Sequence, residues 1–137
     1  MKRFYSICIF LLLIGETFTG MAAEWQWSVR IPSMISQETE AYPQAFLWIP
    51  AGCKRVKAVA VGQHNMCEET LFENPVFRRR MQEAGIALVW ITPILDFPWN
   101  VNTGCNDALL TALDSLAETS GYDELKVVSI DRKSTRL

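Results

Sequence analysis

Polar and apolar residues alternate along Glu24–Ile31, placing Trp25, Trp27, Val29 and Ile31 on one face, the two-residue period of a half-buried strand that Pro32 closes. Ser33 to Tyr42 is polar and reads as a loop. Ala45–Ile49 forms a second apolar strand pattern ended by Pro50-Ala51-Gly52, and Val56–Val61 a third ended by Gly62. Three strands joined without an intervening helical pattern predict an antiparallel start to a sheet.

Beyond Gly62 the period changes. Asn74 is a suitable N-cap and Pro75 suits the first helical position. Phe77, Met81 and Ala84 then form an apolar stripe that ends at Gly85. Ile86–Ile91 is an uninterrupted apolar run stopped by Thr92-Pro93, the composition of a strand covered on both faces. A loop rich in Pro, Trp and Asn follows. Asn106 is the expected cap of a second helix carrying Leu109, Leu110, Leu113, Leu116 and Ala117 at helical spacing up to Gly121, and Leu125–Ile130 is a further buried strand. Strands alternating with helices after an antiparallel start predict an α/β fold with a mainly parallel sheet.

The termini carry different signals. Lys2 and Arg3 precede an apolar run from Phe4 to Ile14, and Gly20 and Ala22 suit the −3 and −1 positions of a cleavage site. Residues 1–22 are therefore expected to be a cleaved signal sequence, with a periplasmic or extracellular destination. The run is shorter than the roughly 20 residues that span a bilayer, so no stable membrane anchor is expected. At the other end, Asp131–Leu137 has neither turn chemistry nor periodicity. Back-translated as GAT CGG AAG AGC ACA CGT CTN, it matches the in-frame start of a common sequencing-library adapter. The natural chain is expected to continue differently from Ile130 or Ser129, leaving residues 23–130 as the folded part.

The formal net charge of the chain is −2. Residues 23–130 are more acidic still, because the two terminal segments hold five cations (Lys2, Arg3, Arg132, Lys133, Arg136) and only two carboxylates (Glu16, Asp131). With no basic stripe, a nucleic-acid partner is not expected. Arg78–Arg80, the one basic cluster, reads as the solvated face of a helix. Cys53, Cys67 and Cys105 survive signal removal, an odd number that allows one disulfide at most within the segment. No spacing is Cys-x-x-Cys, and no metal or other cofactor is expected.

The third strand runs into Gly62-Gln63-His64-Asn65-Met66, and the element order resembles the front half of the α/β-hydrolase fold. The resemblance spans about Trp25 to Ile130 and implies an exported serine hydrolase of the carboxylic-ester class, truncated after its fifth strand. Its expected substrate is a small-molecule or acylated-glycan ester. In that family the loop after the third strand supplies backbone N–H groups to the oxyanion, which makes Gln63, His64, Asn65 and Met66 the candidate oxyanion and substrate loop, with the N–H groups of Asn65 and Met66 foremost. Asn65 stands where glycine is usual. The fifth strand would lead into Gly-x-Ser-x-Gly, which this sequence does not contain, and the acid and histidine of the triad follow the serine in family order. No catalytic residue is expected among these positions.

His64, the only histidine, is expected to order the loop or serve the oxyanion side, against the plainer reading of a structural polar residue. It precedes the nucleophile position and so does not suit the triad base. Cys67 lies three residues on but has no orienting acid, which argues against a Cys–His nucleophile. Glu68 and Glu69 suit a helix N-terminus. Asp96, Phe97, Trp99 and Asn100, after the fourth strand, lie where ligands bind in such sheets, and their aromatic rings suit stacking on a sugar or aryl group as well as simple packing. The competing functional reading is a non-catalytic exported α/β module that binds a ligand or partner through the same loops. Oligomeric state is not legible.

Overall fold

The computed structural model describes residues 25–64, 68–96 and 103–127. The expected signal sequence and the segment 131–137 lie outside them. In chain order the elements are β1 (Trp27–Arg30), β2 (Gln44–Trp48), β3 (Ala58–Gln63), α1 (Glu68–Glu73), α2 (Pro75–Ala84), β4 (Ile86–Thr92), α3 (Cys105–Ser120) and a 3-10 turn (Asp123–Val127). The strands form one sheet in the order β1-β2-β4-β3. β1 with β2 and β2 with β4 are antiparallel, and β3 with β4 is parallel.

β4 occupies the interior of the sheet because its sequence has no solvent face. Ala87, Leu88, Val89 and Ile91 are fully buried and Trp90 nearly so. Its alternate residues serve two separate cores. Ala87, Val89 and Ile91 join Ala45, Leu47 and Ile49 beneath α3, whereas Leu88 and Trp90 join Trp48 and Phe72 on the face that carries α1 and α2. The fold is thus a small three-layer α/β arrangement. Each Leu, Ile or Val buried in it contributes about 1.5–3 kcal/mol.

α3 buries one stripe, Ala108, Leu109, Ala112, Leu113, Leu116 and Ala117. Its outer side is a file of hydroxyls in which Thr111, Ser115 and Thr119 each donate to the carbonyl four residues earlier. α2 starts as its sequence predicts: the Asn74 side chain accepts from the N–H groups of Val76 and Phe77, and Gly85 ends it in the left-handed region at φ 72°.

The described sheet is mixed: β2 lies between β1 and β4 and runs against both, while β1, β4 and β3 share one direction. Three expectations are corrected. Of the expected strand 125–130, residues 125–127 belong to the 3-10 turn, and 128–130 lie outside the described residues. Polar anchors set this turn: Glu124 Oε1 accepts from Val56 N–H at 2.7 Å, and the Tyr122 hydroxyl donates to the Cys53 carbonyl at 2.7 Å. Together they hold Leu125 in the core ahead of any extended segment. α3 begins one residue before Asn106, with Gly104 as its cap at φ 84° and no capping side chain. Arg78 is not a solvated residue like Arg80. Its guanidinium lies 5.0 Å from the Trp25 ring and 5.2 Å from that of Trp48, and its Nε–H donates to the Phe72 carbonyl.

Candidate functional site

Because β3 and β4 are parallel, their C-terminal ends lie side by side, and antiparallel β2 begins at the same end. The chain segments that leave or enter there are the loop after β3, the loop after β4 and the polar loop before β2. Three polar side chains tie these segments together.

The first is Gln63, the last residue of β3. Its Oε1 accepts from Leu95 N–H at 3.2 Å and its Nε2 donates to the Asp96 carbonyl at 3.1 Å. The side-chain amide therefore acts like one more peptide unit of the ladder, pairing the loop after β4 where strand pairing has ended. The second is His64. Its backbone N–H continues the ladder by donating to the Ile91 carbonyl at 2.8 Å, and its ring stands nearly perpendicular to that of Trp90, with centroids 6.5 Å apart.

The third is Glu38, a residue of the polar loop that carries no motif. Its Oε1 lies 2.6 Å from His64 Nδ1, and its Oε2 accepts from Ile94 N–H at 3.2 Å. One carboxylate thus joins all three segments. His64 and Glu38 are both partly exposed, with side-chain accessibilities of 44% and 34%, so the pair faces solvent at the edge of the site.

No family model, curated protein or solved structure matches the chain.

Asp96 is the only member of the second candidate loop among the described residues, and its carboxylate points inward. At 3% exposure it accepts from the Thr103 hydroxyl at 2.9 Å, and that hydroxyl is also 3.3 Å from Cys105 Sγ. This places Asp96 as an anchor of the loop against the start of α3, where a negative group also complements the helix N-terminus. Burial pushes the Cys105 thiol above its ordinary range, and the nearby Asp96 charge adds to the effect while the Thr103 hydrogen bond opposes it. Such a thiol is unsuited to nucleophilic attack. Cys53 and Cys105 are both free, and Cys67 lies outside the described residues.

Asn65 and Met66 of the first loop, and Phe97, Trp99 and Asn100 of the second, also lie outside the described residues. The structure brings together the stems of both candidate loops: Gln63 and His64 on one side, Leu95 and Asp96 on the other. Glu68 and Glu69 stand in the first turn of α1. Among the described residues no group of three His, Cys, Asp or Glu side chains is placed to hold a metal ion.

Proposed function

We propose that residues 23–130 are the leading part of an exported α/β-hydrolase-type serine esterase, acting on an acylated glycan or a similar ester. In this reading the loop after β3 supplies backbone N–H groups to the oxyanion of an acyl-transfer intermediate, those of Asn65 and Met66 foremost. The nucleophile, acid and base of the triad are not among the residues of this sequence. A serine would attack the ester carbonyl and release the alcohol to leave an acyl-enzyme, which water then hydrolyses.

The observation that carries the reading is the paired stem. Gln63 bonds both Leu95 N–H and the Asp96 carbonyl, so the loops after two parallel neighbours are held at one end of the sheet. Ligands of open α/β sheets bind beyond the carboxyl ends of the strands. The absence of Gly-x-Ser-x-Gly favours a second reading, a ligand-binding module using the same loops.

Uninterrupted long-read DNA sequencing across the codon for Ile130 separates the two. The esterase reading expects Gly-x-Ser-x-Gly at once, with Asp and His codons later. The full encoded protein should then hydrolyse an aryl acetate and lose that activity when the elbow serine becomes alanine. A stop codon after Leu137, or a continuation without a serine elbow, overturns it.

A further inference from the structure

Glu38 belongs to a loop that carries no motif, yet its carboxylate lies 2.6 Å from His64 Nδ1. A carboxylate offers only acceptors, so the 2.6 Å approach of Glu38 Oε1 to His64 Nδ1 requires the proton on Nδ1. The tautomer of a histidine is set by the hydrogen bond that one of its ring nitrogens makes. Glu38 is itself held in place, because its second oxygen accepts from Ile94 N–H. The imidazole stands nearly perpendicular to the Trp90 ring, with centroids 6.5 Å apart.

We infer that Glu38 is the positioning residue of His64, fixing the neutral imidazole as the Nδ1–H tautomer and presenting the Nε2 lone pair as a hydrogen-bond acceptor at the end of the sheet. Neutral His64 then cannot donate to an oxyanion. The side chain instead accepts from a donor on the ligand, such as a free hydroxyl on the alcohol portion of an ester. The part played toward substrate rests on the esterase reading. The tautomer does not, since it follows from Glu38 and His64 alone.

The chain contains one histidine, so its ring nitrogens give a single, unambiguous set of signals. Long-range proton–nitrogen correlation spectra of the full 15N-labelled chain, recorded above the imidazole titration, read the tautomer directly. The expected result is a protonated Nδ1 and a bare Nε2 in the wild type. Glu38→Gln keeps an acceptor oxygen and should retain that pattern. Glu38→Ala removes the acceptor and should move the ring toward the Nε2–H form.

A wild-type spectrum showing Nε2–H overturns the inference without recourse to any variant. An unchanged pattern in folded Glu38→Ala overturns it as well. Should the parent protein prove to have no esterase activity while the tautomer is as expected, only the role toward an ester substrate is lost, and the positioning of His64 by Glu38 stands.

Discussion

The ring of Phe72 lies against the backbone of Gly62, with its Cζ 3.0 Å from the point where a Cβ on that glycine would sit. Phe72 Cε2 is at 3.2 Å and Trp90 Cε3 at 3.4 Å from the same point. Glycine at position 62 thus serves close approach between β3 and α1, not an unusual backbone angle. Gly62→Ala should force the stacked Phe72 and Phe77 rings to shift. The cost should be about 1–3 kcal/mol, as for other overpacked cores. Denaturant unfolding checks this, and an alanine variant as stable as the wild type would show that the ring yields freely.

Gln63 offers a test of the coupled stems. Gln63→Leu preserves approximate size but removes the acceptor of Leu95 N–H, a group whose lost partner costs about 1–3 kcal/mol if it stays buried. Hydrogen exchange at Leu95 should quicken in the variant while exchange within β4 is preserved. Equal protection at Leu95 in both proteins would dissolve the link between the two loops.

On α3 the two sides should respond differently. Leu113 is 1% exposed and Leu110 is 39% exposed. Leu113→Ala should destabilise the protein by about 2–5 kcal/mol, through lost burial and the cavity left behind. Leu110→Ala should stay within about 0.5 kcal/mol of wild type. Comparable losses from the two substitutions would mean that the outer side of α3 is covered.

Cys105 should resist alkylation in the folded chain, since its thiol is buried and held in the neutral form. Peptide mapping after brief exposure to iodoacetamide should find Cys105 unmodified until denaturant is added. The same shift has a pH sign. Below the ordinary thiol range both folded and unfolded states are protonated and the contribution to stability is complete. It declines as the pH rises through the raised folded value. The stability difference between wild type and Cys105→Ala should therefore move against the wild type under alkaline conditions, and a constant difference would contradict the assigned cause.

The elements read most directly from the sequence were those whose signals are local. Asn74, Pro75 and Gly85 mark the bounds of α2 because capping is decided by adjacent residues. The uninterrupted run Ile86–Ile91 reads as a doubly covered strand because no polar residue breaks it, and the structure places a core on each side. Strand order is not local, and nothing in β2 or β3 reveals that β4 inserts between them. Arg78 looks identical in sequence to Arg79 and Arg80. Only the fold brings Trp25 and Trp48 to it. Glu38 was illegible for the same reason: a glutamate in a polar stretch reads as solvated until the chain returns His64 and Ile94 to its side.

The sheet order also has a kinetic consequence. β1 with β2, and β3 with β4 through α1 and α2, are each contiguous stretches of chain. β2 meets β4 only across the whole intervening segment, from Gln44 opposite Thr92 to Trp48 opposite Leu88. That pairing carries the largest loop-closure cost in the sheet and is the natural last step of assembly. Until it forms, the two half-sheets each expose an unpaired edge, and the edge of β4 is apolar on both faces. A chain arrested at that stage offers its neighbours a strand to pair with. A strand buried on both faces in the finished molecule is therefore open to association while folding is incomplete.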